Sequence, residues 1–251
     1  MICSYNKYSF PVFLLKKSSQ KIISSSSCLD FPFRNFVFIS SCPESWGGSE
    51  ELWSQTAIYL HQKNHQVKVF KTYIDHKHRK IQQLEELGID ISDIYKLGLK
   101  RIPKLIKKLQ SYISLPNFFA HKSIVEVINK SNLYTCKIYK SLRIQDYLSL
   151  FFLQRSLVSI KPNLVLICQG ENFDGFIYIC LCKLLGLNYA ILSQKASDHI
   201  WPSDEILSLL IKGYQNASYS FFVSKHNLKL TQSQLGKLRR IDLVYNLSQK
   251  R

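Results

Sequence analysis

The chain has 251 residues, of which 46% are hydrophobic and 20% charged, with 15 Phe and 14 Tyr. This composition excludes wholesale disorder and is enough for one large domain or two small ones. Lys and Arg number 34 against 17 Asp and Glu, a net charge of +17, which favours nucleic acid, a phosphate-bearing ligand or an anionic membrane surface without choosing among them. No run approaches the roughly 18 apolar residues of a spanning helix, so an integral membrane protein is not expected.

Residues 1–34 differ from the rest. A serine run from Ser24 to Ser27 is flanked by Lys16, Lys17 and Lys21, and the segment reads as a loosely ordered tail. Its apolar stretch 10–15 is too short for a signal-peptide core. The seven cysteines form no C-x-x-C pair; they read as reduced, buried, cytosolic thiols, and no metal site is expected.

From Phe36 the pattern is regular. Residues 36–40 are a short apolar, β-branched and aromatic run, hence a buried strand. The loop 42–49 follows, and Gly48 or Ser49 is expected to cap a helix with Glu50 and Glu51 in its first turn, where the helix dipole favours carboxylates. Leu52, Trp53, Thr56, Ala57 and Leu60 give that helix its buried face. Asn64 is a left-handed stop, and residues 67–70 are a second strand, completing a βαβ unit.

From Ile81 to about Lys161 the chain reads as helical, with a break at Gly88. Apolar residues at 102, 105, 106, 109 and 113 alternate with Lys100, Arg101, Lys104, Lys107 and Lys108; further helical stretches run roughly 123–140 and 146–158. This basic, helical insertion spans about 95–160. The α/β rhythm then returns. Strands are expected at 163–167, 189–193, 219–223 and 241–245, with helices at 174–185 (ended by Gly186), 205–214 and after the cap Ser224. The fold expected is an α/β, Rossmann-like parallel sheet of about six strands with helices on both faces.

In such a sheet ligands bind beyond the carboxyl ends of the strands. Three loops are therefore candidates. Gly47, Gly48 and Ser49 allow close backbone approach and precede a helix N-terminus, so they read either as a structural turn or as a loop beside a phosphate. In the loop from Gln169 to Gly175, Asp174 reads either as an N-cap or, with Glu171, as a carboxylate that binds a sugar hydroxyl or takes its proton. In the loop from Gln194 to Trp201, Lys195 and His199 can meet phosphate or sugar and Trp201 can stack on a sugar face; simple packing is the alternative. The stripe 100–108 suits an anionic membrane surface or an ordinary solvated helix face. Nucleic acid is not expected, because no recognisable nucleic-acid module is present.

Residues 36–40, Gly47-Gly48-Ser49-Glu50, Leu60 and the strand at Val67 resemble the amino-terminal half of family 4 glycosyltransferases of the GT-B fold. So do Lys161-Pro-Asn-Leu-Val-Leu-Ile167, the Asp174-Gly175 helix start, Gly186-Leu-Asn-Tyr189, Phe221-Phe-Val-Ser224 and Val244-Tyr-Asn246. The resemblance covers about residues 36–247. It implies a retaining enzyme of two Rossmann-like domains, the first binding mainly a sugar or lipid-linked acceptor, the second binding a nucleotide sugar through a glutamate pair with seven residues between. It implies that Gly47 and Gly48 near the donor phosphates and that Gln169, Glu171 and Asp174 lie near the acceptor. Catalysis is assigned to Glu171 and Asp174, donor contact to Gly47, Gly48 and Ser49, and substrate contact to Gln169, Gln194, Lys195, His199 and Trp201. The resemblance implies no metal and, without a donor domain, no cofactor.

The departure is at the end: the chain stops at Arg251, about where the second domain begins, and no two of its glutamates are eight positions apart. The expectation is thus an acceptor-binding domain at 35–247 followed by a linker remnant at 248–251, inactive alone and cytoplasmic or peripheral at the membrane. The alternatives are one subunit of a split enzyme whose donor domain is a separate polypeptide, and a basic membrane-surface module.

Overall fold

The computed structural model describes residues 34–99 and 144–244. In chain order these form β1 (Asn35–Ser40), α1 (Gly48–Gln62), β2 (Gln66–Lys71), α2 (Arg79–Glu86), β3 (Asp90–Asp93) and α3 (Ile94–Leu99). Then come α4 (Ile144–Ile160), β4 (Leu164–Gln169), α5 (Phe176–Leu184), β5 (Tyr189–Ser193), α6 (Asp204–Asn216), β6 (Tyr219–Phe222), α7 (Lys225–Leu235) and β7 (Ile241–Leu243). The strands form one sheet in the order β3-β2-β1-β4-β5-β6-β7, and every pair is parallel. This is the α/β, Rossmann-like sheet that the sequence predicts.

Successive side chains on a strand point to opposite faces, and both faces here are apolar. Phe36 and Phe38 of β1 belong to one core cluster, with Leu52, Trp53, Ala57 and Leu60 of α1 and Leu84 of α2. Val37 and Ile39 belong to the other, with Leu150, Leu153 and Leu157 of α4, Ile179 of α5 and Leu210 of α6. Burying each such side chain contributes about 1.5–3 kcal/mol, which is why the strands read as continuous apolar runs rather than alternating ones. Two helix ends follow the sequence signals: Asn64 and Gly186 both take positive φ, 60° and 62°.

The sheet has seven strands where about six are expected. The additional one is β3, which falls inside the stretch predicted to be helical. Its sequence is Asp-Ile-Ser-Asp at the sheet edge, so it lacks the apolar run that marks a buried strand. Gly88, at φ +79°, ends α2, and Lys68 of β2 bonds Asp90 across the pair. The helix expected over 146–158 lies within α4. The tail 1–33, the stripe 100–108 and the stretch 123–140 lie outside the described residues. Among those described, no helix is long and apolar enough to cross a membrane. Cys42, Cys168 and Cys182 are buried, Cys180 is half-buried, and all four are free thiols.

Candidate functional site

Strands β1 and β4 are neighbours, but α1, which follows β1, packs on one face and α5, which follows β4, on the other. Their loops therefore part at the carboxyl ends of the strands, which makes this the switch point of the sheet, the place where open α/β folds receive ligands in a crevice. At its base the two loops pack closely: a Cβ on Gly170 would come within 3.2 Å of the Cys42 side chain.

Ser41 extends β1 by one residue, and its N–H donates to the Cys168 carbonyl of β4 at 3.1 Å. Its hydroxyl donates to Asp174 Oδ1 at 2.6 Å. Asp174 Oδ2 accepts from the Glu171 N–H at 2.9 Å. Asp174 thus closes the turn that precedes α5 and does not cap that helix, whose N-cap is Gly175. Desolvation of the carboxyl group raises its pKa to about 6, the Glu171 charge adds to this, and hydrogen bonds from Ser41 and from the Glu171 and Gly170 amides oppose it. The residue as a whole is exposed, while its carboxylate is part-buried against Ser41; the part-buried side sets the direction of the shift, and the exposed side leaves the group able to exchange protons. A carboxylate titrating near neutrality can accept a proton from a bound hydroxyl.

Gln169 lies beneath this crevice. It is fully buried, its Oε1 accepts from the Tyr214 hydroxyl at 2.8 Å, and its Nε2 has no partner among the described atoms. Gly175 is required beside it, since a Cβ there would stand 2.8 Å from Ile167 Cγ2 and 3.0 Å from Gln169 Cγ.

The glycine loop is held by its own chain. Gly47, not Gly48 or Ser49, is the N-cap of α1. Its N–H donates to Glu50 Oε2 at 3.1 Å, and the Ser49 hydroxyl donates to the same oxygen at 2.6 Å. Glu50 is expected as a first-turn carboxylate facing the helix dipole. It does occupy the first turn of α1, and it is also fully buried and paired with the equally buried Lys71, at 3.4 Å. Ser40 donates to Glu50 Oε1 at 3.0 Å, and Lys71 Nζ donates to the carbonyls of Cys42 and Glu44 at 2.8 and 2.6 Å. Two loop donors that would face a phosphate thus already face a carboxylate.

Lys195 reaches the crevice side, pairing with Glu171 at 3.0 Å and so linking the loops after β4 and β5. The Gln194 carbonyl accepts from Asn227 Nδ2 at 3.1 Å. Trp201 is 60% exposed and its Nε1 donates within its own loop to the Asp198 carbonyl at 2.8 Å; His199 is exposed on that loop. The loop is fixed from below by a polar chain that the sequence analysis misses. Ser193 donates to Asn172 Oδ1 at 2.8 Å, Asn172 Nδ2 donates to Thr231 at 3.0 Å, and Gln234 Nε2 donates to the Ile200 carbonyl at 2.7 Å. Ser41, Lys71 and Asn172 are the other residues missed. Of these only Lys71 carries a sequence signal: a lysine closing an apolar strand that both helical layers cover.

No protein-family model and no curated protein matches the chain. Among solved structures it is similar to HepE of Anabaena in complex with UDP-glucose, at 10% identity and a TM-score of 0.48 over 85% of this chain and 44% of that one. It is also similar to a glycosyltransferase from Rickettsia africae, at 8% identity and a TM-score of 0.45 over 86% of this chain and 43% of that one. A likeness to an A1-type ketoreductase has 10% identity and a TM-score of 0.28, over 85% of this chain and 48% of that one. The chain spans less than half the length of each of these structures.

Proposed function

We propose that this chain forms the acceptor-binding side of a glycosyltransferase of the family 4 type, with the crevice between β1 and β4 as the place where an acceptor hydroxyl is received. The observation that carries this reading is the Ser41–Asp174 pair, which holds at the crevice mouth a carboxyl group whose pKa of about 6 suits it to take a proton from a hydroxyl near neutrality. Lys195 and Glu171 border the same crevice and offer one cation and one carboxylate to a polyhydroxylated ligand. The strand, Gly-Gly and helix order of residues 36–62 resembles that family and supports the same reading. Transfer then requires donor-side groups from a second domain, in the same polypeptide or in another.

The test is saturation-transfer NMR of the purified chain with a panel of mono- and disaccharides. Saturable binding that disappears in Asp174→Ala and weakens in Ser41→Ala is expected. Absence of binding across the panel, or binding unchanged in both variants, overturns the reading. Sugar transfer by the purified chain from UDP-glucose to any member of the panel would show that it is more than an acceptor side.

A further inference from the structure

A second concavity lies at the opposite end of the sheet. It is a cavity of about 490 Å³ between α4 and the starts of β2 and β3, within the range of about 300–1,000 Å³ typical of small-molecule sites. Its apolar surface comes from Leu97, Phe152 and Ile160, and its charged surface from Lys68, Arg155 and Asp90. It shares no residue with the crevice, and its argument is independent of the function proposed above.

Lys68 is the unexpected group. It lies between Val67 and Val69, which belong to the core under α1, so the pleat turns it to the other face, towards the core that α4 covers. A cation there is costly unless paired. Its Nζ stands 5.4 Å from the Phe70 ring centroid and bonds Asp90. The two partners differ in access: the Lys68 side chain is 19% exposed and that of Asp90 63%. Asp90 can therefore swing into water while Lys68 must stay. Arg155 lies 5.7 Å from the Phe151 ring centroid, which limits the freedom of a guanidinium whose planar fork matches carboxylate and phosphate oxygens.

We propose that this cavity binds a small amphipathic anion, with an apolar chain on Leu97, Phe152 and Ile160 and a phosphate or carboxylate head on Arg155 and Lys68, displacing Asp90. The excess of 17 positive charges on the whole chain draws such a ligand in.

Calorimetric titration with octyl phosphate, octanoate, octyl glucoside and inorganic phosphate tests this, with all amphiphiles below their micelle concentrations. Saturable one-to-one binding of octyl phosphate or octanoate is expected, and the stronger of the two identifies the head group. Arg155→Ala should weaken it about tenfold, the loss of one charge-assisted pair, and Asp90→Asn should tighten it by removing the internal competitor. Both residues are exposed, and Asp90→Asn keeps a side-chain oxygen that can accept from Lys68, so each variant is tested after its melting temperature is shown to match the parent's. The proposal is overturned if neither anion saturates, if Arg155→Ala binds as well as the parent, if octyl glucoside binds equally, or if inorganic phosphate matches octyl phosphate and so shows the apolar floor to be unused.

Discussion

Ser41 and Asp174 lie 133 positions apart in the chain and meet with 2.6 Å between Oγ and Oδ1. The contact exists because β1 and β4 are adjacent and in register, Ser40 opposite Cys168, so that the residues leaving the two strands face each other. The Ser41 hydrogen bond favours the charged form of Asp174 and opposes the desolvation that raises its pKa to about 6. Ser41→Ala should therefore move the Asp174 titration further up. Carboxyl carbon NMR across pH 3 to 8 measures it; an unchanged or lower midpoint in the variant contradicts the assigned role.

The same shift predicts a pH dependence of stability. The native pKa of Asp174, about 6, exceeds its ordinary value of 3.8. Between these values the native state binds more protons at this site than the unfolded state does. The favourable contribution is complete below pH 3.8 and is lost as pH rises through 6. Asp174→Asn removes that loss. The difference in melting temperature, variant minus parent, should grow from pH 4 to pH 7 and then level off; a difference constant over that span rules the shift out.

The fold was more legible than the site, and the reason is physical. Buried parallel strands announce themselves as apolar runs, as 36–40 and 163–167 do, because both faces are covered. Edge strand β3 does not, since Asp90 and Asp93 suffice where only one neighbour must be satisfied. Loops after strands are candidates by topology alone, so Asp174 and Glu171 could be named. Their partners could not: Ser41 acquires meaning only when β1 and β4 are set side by side, and Asn172 only when α7 brings Thr231 and Gln234 over it. Glu50 was legible only in part: its first-turn position is kept, but its buried pairing with Lys71 shows only in three dimensions.

Two glycines near the crevice should respond differently to a methyl group. Gly175→Ala places Cβ 2.8 Å from Ile167 Cγ2, inside a packed core, and overpacking of this kind costs about 1–3 kcal/mol. Gly48→Ala meets nothing within 4 Å in the first turn of α1, and should change stability by no more than about 0.5 kcal/mol. Urea denaturation of both variants decides it. Equal losses would mean that the close contact between the Gly170–Gly175 turn and β4 is not maintained in solution.

Glu50 and Lys71 provide the sharpest test of the loop architecture. Both side chains are fully buried, so removing one charge strands the other. Lys71→Met leaves Glu50 uncompensated and also frees the carbonyls of Cys42 and Glu44; breaking a buried pair this way costs about 3–5 kcal/mol. Glu50→Gln should cost less, because Lys71 keeps both carbonyls and the amide can still accept from Ser40 or Ser49. The double variant Glu50→Gln with Lys71→Met should lose less than the sum of the two single losses, since no unpaired charge remains. Urea unfolding of the three proteins gives the coupling energy directly. Additive losses would mean that the two charges do not sense one another. In that case hydrogen exchange at Gly47, whose N–H is held by Glu50, would accelerate in Glu50→Gln but stay at the parent rate in Lys71→Met, whereas a coupled pair opens the loop in both.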